Sequence, residues 1–186
     1  SRAFMPHFHI PLQAGSDAVL KLMRRRYDTA LFAAKIGKIR SLMPDAFIGV
    51  DVIVGFPGEG EAEFMETYRL LEEVEASFLH IFPFSERPGT PAVTMPNKVQ
   101  SSISTERVSR LEELSNRLHN GFANRCLNPT RKGLFERTGK GGIRFGYTDN
   151  YLRVKAQYDA SQINHICNVH LREIDSDGDI IGEIIG

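Results

Sequence analysis

The chain has 186 residues, 23 Lys plus Arg against 23 Asp plus Glu, a formal net charge of zero and a hydrophobic share of 41%. This is the composition of an ordinary globular protein of one medium or two small domains. No apolar run approaches the length of a membrane span, and no basic-then-apolar segment opens the chain, so neither a spanning helix nor a signal peptide is expected.

In chain order, Phe8 to Leu12 predicts a short buried strand stopped by Gln13-Ala14-Gly15, with Ser16 as N-cap of a helix through Val19, Leu20, Leu22 and Met23. Thr29 is expected to cap a second helix, in which Phe32, Ile36, Ile39 and Met43 recur at helical spacing before Pro44. Phe47 to Val54 is the most apolar strand and shows no polar alternation, as expected when both faces of a sheet are covered. Glu61 to Val74 is amphipathic through Phe64, Tyr68, Leu71 and Val74, and Phe78 to Phe82 is the next strand. Strand, helices, strand, helix, strand is the order of right-handed crossovers in a parallel sheet. Pro88, Pro91 and Pro96 predict an irregular stretch from Arg87 to Ser102, and a long helix then runs from about Ser104 to Cys126.

Beyond Pro129 the composition changes. Short alternating strands are expected at Gly133 to Thr138, Ile143 to Tyr147, Tyr151 to Ala156, Ile166 to Ile174 and Ile180 to Ile184, with hairpin signals at Gly141-Gly142 and Asp177-Gly178. So many strands in so short a tail predict a small antiparallel β-barrel. The domains are therefore expected at 1–128 and 129–186.

The zero net charge hides segregation. Lys21, Arg24, Arg25, Arg26, Lys35, Lys38 and Arg40 make the first helices basic, while nine acidic residues from Asp45 to Glu75 make the next stretch acidic. Between Thr130 and Lys155 seven cations face only Glu136 and Asp149, whereas beyond Ala156 acidic residues dominate. Such a field can steer a polyanion to one face.

Two motifs carry the chemistry. Asp51-Val52-Ile53-Val54-Gly55-Phe56-Pro57-Gly58-Glu59 is a buried strand opening into a Gly/Pro turn and a helix, the place where an α/β protein puts its ligands. There Gly55, Pro57 and Gly58 bring bare backbone close to a ligand, and Ile53 offers an apolar wall to a flat base. Taken alone, it is an ordinary strand-to-helix turn. The second motif, Phe84-Ser85-Glu86-Arg87-Pro88-Gly89-Thr90, mixes rigid and permissive backbone positions. Its plain reading is a loop closing the core.

With His9-Ile10-Pro11-Leu12-Gln13-Ala14-Gly15-Ser16 upstream, this order of motifs resembles the second half of the radical S-adenosylmethionine domain of the methylthiotransferases. The resemblance implies a partial TIM-like α/β barrel followed by an RNA-binding TRAM domain, an OB-like β-barrel. It also implies a transferase that uses S-adenosylmethionine and two 4Fe-4S clusters. The cofactor residues it implies are Gln13, Ser16, Arg25, Val52, Ile53, Gly55, Ser85 and Arg87; Arg25 sits in a Met-x-Arg-x-Tyr pattern with Met23 and Tyr27. Ser16 is explained as fully by helix capping, and a run of three arginines by a solvated helix end.

The tail resembles the TRAM domain too, and its Gly146-Tyr147-Thr148-Asp149-Asn150-Tyr151 is similar to the branch acting on threonylcarbamoyladenosine in tRNA. Interleaved aromatic and basic residues make Arg144, Phe145, Tyr147, Tyr151, Arg153 and Lys155 the candidate RNA contacts. The plain alternative has the aromatics packing the barrel and the charges facing water.

The family's Cys-x-x-x-Cys-x-x-Cys run is absent from the chain. The expectation is a carboxyl-terminal part of such an enzyme, inactive by itself, holding no cluster, with tRNA and the rest of its own polypeptide as partners and no membrane. Cytoplasmic location and self-association through the open edge of Phe8 to Leu12 are also expected. Rival readings are another branch of the family, acting on isopentenyladenosine tRNA or a ribosomal protein, and a non-enzymatic RNA-binding module. A P-loop lacks its Lys-Ser/Thr after Gly60.

No metal site is expected. Cys126 and Cys167 share no ligand spacing and are expected as free thiols. His7 with His9, and His165 with Cys167, lack further partners at suitable spacing. Asp175-Ser176-Asp177-Gly178-Asp179 mimics a calcium loop but fits a hairpin turn better, since Ile184 stands where a bidentate Glu is needed.

Overall fold

The structure, a computed structural model, describes residues 4–136, 142–157 and 159–185. By its contacts the chain divides into two compact units, one of Phe8–Pro44 and Ile48–His119, the other of Ser1–His7, Asp45–Phe47 and Asn120–Gly186. This division falls at Asn120, within a helix.

The first unit is built on a three-stranded sheet in the order β1 (His7–Gln13), β2 (Phe47–Val54), β3 (Phe78–Pro83), with β2 and β3 parallel. Between the strands come α1 (Asp17–Leu22), α2 (Thr29–Leu42) and α3 (Glu61–Glu73), and α4 (Ser101–Arg125) follows the sheet. Alternation sorts the side chains. Leu12, Val50, Val52, Val54 and Leu79 point to one face and join Phe32, Ile36, Phe64, Leu71, Leu111 and Leu114 in the core. His9, Asp51, Ile53, His80 and Phe82 alternate with these residues and are half-buried or exposed. Both faces of β2 were expected to be covered; in this unit the helices cover one, and Asp51 marks the other.

Glycine permits one close approach here. A Cβ on Gly15 would stand 2.5 Å from Thr67 Cα, and the Gly15 N–H donates to Thr67 Oγ1 at 2.9 Å, so the exit of β1 lies directly on α3. Two expected caps differ. Ser16 occupies the N-cap of α1 without making the side-chain bond, and Asp28 rather than Thr29 caps α2, its carboxylate accepting from Leu31 N at 2.8 Å. At α3 the glycine N-cap has no side chain to offer, and only Glu63 reaches back, accepting from Gly60 N at 2.9 Å. The proline-rich stretch contains a 3-10 turn at Pro91–Thr94.

In the second unit β4 (Thr130–Phe135), β5 (Ile143–Thr148), β6 (Arg153–Gln157), β8 (Ile180–Ile185) and β7 (Ile166–Ile174) close into a barrel in that order. The barrel is mixed rather than antiparallel, because β6 and β8 run parallel. A barrel that brings β8 between β6 and β7 must place one such pair in parallel, since β7 and β8 form the hairpin. Phe135, Val154, Val169, Leu171 and Ile180 fill the interior. The Gly141-Gly142 hairpin lies partly outside the described residues. At Asp175–Asp179 the Asp175 carboxylate accepts from Asp177 N at 2.9 Å and Asp179 N at 3.0 Å, with Gly178 at φ 82, so this run is a turn that uses its own acceptor. No described helix is long and apolar enough to cross a membrane.

Candidate cofactor cavity and candidate RNA face

The carboxyl end of β2 and the loop after β3 meet at a cavity of about 460 Å³ in the first unit. Ile53, Phe56, Phe84 and Met95 give it apolar walls, Lys21, Arg24 and Arg25 a basic side, and Thr90 to Ala92 close it. Phe56 and Phe84 meet edge to face with centroids 5.0 Å apart, a stable aromatic arrangement. Apolar walls with a few cations suit a ligand that combines a flat ring with a carboxylate.

Local chemistry explains how these groups are held. Gln13 takes φ 70 at the end of β1, and its amide oxygen accepts from Arg25 Nη2 at 2.8 Å. The Tyr27 hydroxyl donates to Leu12 O at 2.8 Å, pinning the same strand exit; burial raises its pKa. Tyr27 of the Met-x-Arg-x-Tyr pattern thus anchors the strand, while Arg25 lines the cavity and binds Gln13. Gly55 sits at φ 80, where a Cβ would meet Ser104 Oγ at 2.2 Å, so the turn admits no other residue without strain.

Among the expected cofactor residues, Arg25 and Ile53 form the cavity wall, with Gln13 tied to Arg25. Ser85 and Arg87 are exposed outside the wall, although Phe84 and Thr90 on either side of them belong to it. Arg87 O instead accepts from the Thr90 hydroxyl at 2.8 Å, which folds the loop back. Two more of these residues are buried. Val52 is fully buried in the core, on the side opposite Ile53, so it offers no surface to a ligand. Ser16 is 1% exposed, and its hydroxyl has no hydrogen-bond partner among the described residues.

Reading the sequence missed a buried pair. Glu59 Oε1 accepts from Gly55 N at 2.9 Å and from Arg107 Nη1 at 2.7 Å, and the Arg107 guanidinium also donates to Glu59 O at 3.1 Å. Burial raises the Glu59 pKa, with the Gly55 N–H and Arg107 opposing. The two residues stand 48 positions apart, so no local pattern could pair them.

In the second unit, β5 and β6 turn Phe145, Tyr147, Arg153 and Lys155 outward. Tyr147 and Tyr151 stack with centroids 4.9 Å apart and are 38% and 52% exposed, a ready platform for an unstacked base. The Arg153 guanidinium lies 4.2 Å over the Phe145 ring. Arg144, by contrast, points into the barrel, fully buried, over Phe135 at 4.6 Å and donating to Asp159 O at 2.8 Å and to Gln162 Oε1.

Three cations of the basic tail segment are paired with carboxylates in space. Lys155 Nζ pairs with Asp175 at 2.8 Å, Arg153 with Asp179 at 3.2 Å, and Arg131 with Asp149 at 2.8 Å and Asp45 at 3.2 Å. The Asp175 partner is the largest cause of the raised pKa of Lys155. Beside the stacked tyrosines, the charges of Arg153 and Lys155 are thus partly neutralised.

Comparison with known proteins agrees with the order of motifs. Residues 1–71 match the sequence model of the Radical SAM superfamily. The threonylcarbamoyladenosine tRNA methylthiotransferase MtaB of Bacillus subtilis is 42% identical over 169 residues, 89% of this chain and 38% of the relative. Its namesake from Thermotoga maritima is 39% identical over 173 residues, 93% of this chain and 39% of the relative. A tRNA-2-methylthio-N(6)-dimethylallyladenosine synthase of Thermobifida fusca is 49% identical over 114 residues, 61% of this chain and 23% of the relative. The chain thus spans well under half the length of these relatives. On the motifs at Gln13, Ile53 and Phe84 and on these identities, the chain belongs to the radical SAM methylthiotransferase family.

Proposed function

We propose that this chain is the carboxyl-terminal part of a cytoplasmic tRNA methylthiotransferase that acts on C2 of N6-threonylcarbamoyladenosine. Residues 8–119 contribute one wall of a partial TIM-like barrel, and the closed barrel is a TRAM domain. The observation that carries the reading is the cavity joining Ile53 and Arg25 at the strand ends, in a chain of this family. Bound S-adenosylmethionine would supply the adenosyl radical. Ile53 and Phe84 would flank its adenine, and Arg25, steadied by Gln13, would face its carboxylate.

The residues present fit that ligand but not an iron–sulfur cluster. Cys126 is buried, burial holds its thiol protonated by raising its pKa, and it receives a hydrogen bond from Asn150 at 3.4 Å. A cluster requires several thiolates. Turnover accordingly needs cysteines outside this chain, and the chain alone is expected to be inactive.

The assignment to the threonylcarbamoyladenosine branch rests on Gly146 to Tyr151 and on the Bacillus and Thermotoga relatives. Nucleoside mass spectrometry of tRNA from cells with and without the parent gene tests it. Loss of 2-methylthio-threonylcarbamoyladenosine alone is expected. Loss of the 2-methylthio form of dimethylallyladenosine would favour the second reading, which the Thermobifida relative supports.

For the RNA face, Tyr147→Ala and Tyr151→Ala are each expected to weaken tRNA binding by about 1–3 kcal/mol. Lys155→Ala should change it little, because Asp175 and Asp177 already hold that charge. Filter binding at two salt concentrations checks both. A Lys155→Ala loss exceeding either tyrosine's would reject the stacking platform in favour of phosphate contacts.

A further inference from the structure

Three neighbouring strands of the first unit each place one metal-ligating side chain at the same spot. His9 on β1, Asp51 on β2 and His80 on β3 have ligand atoms that all lie within 4.8 Å of one another. Asp51 and His80 are register partners across the parallel pair. The His9 and His80 rings lie nearly parallel, centroids 4.5 Å apart at 16°, and His9 Nε2 is hydrogen-bonded to an Asp51 carboxylate oxygen. All three alternate with core residues, so they stand on the sheet face away from the helices. From this geometry we infer that His9, Asp51 and His80 form a binding site for a divalent transition-metal ion.

A His–Asp hydrogen bond by itself accounts for two of the three residues and leaves the second imidazole without a purpose. Two stacked imidazoles beside one carboxylate make sense as ligands. Neutral imidazole nitrogens donate lone pairs, and the carboxylate supplies charge and a third donor atom. His80 is suited to this role by position: it is half-buried, stacked on His9 and in register with Asp51. The half-buried positions of Asp51 and His80 limit competition from water, while exposed His9 leaves the site an approach from solvent. A sheet is a stiff scaffold, and it holds the three ligand atoms within 4.8 Å of one another. Two His and one carboxylate with open positions suit zinc, cobalt(II) or iron(II), not calcium or magnesium, which require mostly oxygen ligands. The inference does not rest on the proposed tRNA chemistry.

The test titrates the 186-residue chain with Co²⁺, following its visible ligand-field absorption, and with Zn²⁺ by calorimetry. We expect stoichiometric binding of one ion, a spectrum without thiolate charge transfer, and displacement of Co²⁺ by Zn²⁺. His80→Ala and the nearly isosteric Asp51→Asn should each weaken Zn²⁺ by about tenfold or more, with circular dichroism confirming an unchanged fold. The control pair His165→Ala and Cys167→Ser removes a separate exposed histidine and thiol in the other unit and should leave the affinity as it was. No stoichiometric binding, equal affinity in folded Asp51→Asn, or loss only in the control variants would each overturn the site.

Discussion

Arg107→Met is expected to cost about 3–5 kcal/mol of folding stability, because it leaves the Glu59 carboxylate buried without its counter-ion. Both side chains are nearly sealed from solvent, at 5% and 2% exposure. Met fills much of the guanidinium stem's volume, so the loss reflects charge and hydrogen bonding rather than a void. Burial raises the Glu59 pKa, and Arg107 is one of the groups that restrain the rise. A carboxyl whose pKa rises on folding binds more protons in the native state. Its contribution to stability is therefore present below the ordinary carboxylate range and lost as pH climbs through the raised value. Without Arg107 that value climbs further, so the deficit of the variant should be greatest at about pH 7 and shrink towards about pH 5.

Glu59→Gln combined with Arg107→Met removes both charges and keeps an oxygen for the Gly55 N–H. Most of the lost stability should return. Urea denaturation at the two pH values measures all of this. An Arg107→Met protein within about 1 kcal/mol of the parent at neutral pH would show the pair to be structurally idle. The candidate cofactor cavity should feel the same change, since Glu59 holds the Gly55 turn next to Ile53.

The second large effect is in the barrel. Phe135→Ala should cost about 3–5 kcal/mol, the usual loss when a buried aromatic is truncated. Phe135 is fully buried, and the chain narrows around it: a Cβ on Gly146 would stand 2.7 Å from the ring, and one on Gly133 3.3 Å. The Arg144 guanidinium packs on the ring at 4.6 Å. Its removal leaves a cavity beside a buried cation. A domain this small has little stability to spare. Hydrogen exchange should show protection lost across β4 to β8 but kept in β2 and α3, with tRNA binding lost in parallel. Phe135→Leu, which keeps most of the volume, should retain both. Intact protection of β4 to β8 in the alanine variant would refute the central role of the ring.

The strands and helices were legible because local periodicity dictates them. Apolar residues at helical spacing placed α2 and α3 within a residue or two, and the Gly and Pro turns delimited β2 and β3. Alternation located most of the barrel strands, although β4 begins at Thr130, three residues before the expected Gly133, and Gln13, Arg25 and Ile53 belong to motifs short enough to be read locally. Alternation also fixed that Arg144 and Phe145 point to opposite sides of β5, but not which of them is inside. Closure of the barrel decided that, burying the cation and leaving the aromatic half-buried on the outside. Likewise, the acidic run at Asp175 to Asp179 reads as one end of a charge gradient until β8 returns beside β6 and sets those carboxylates on Lys155 and Arg153. The Glu59–Arg107 pair and the meeting of His9, Asp51 and His80 have the same origin. Register and packing join residues tens of positions apart, and their energies depend on desolvation that no single segment of sequence contains.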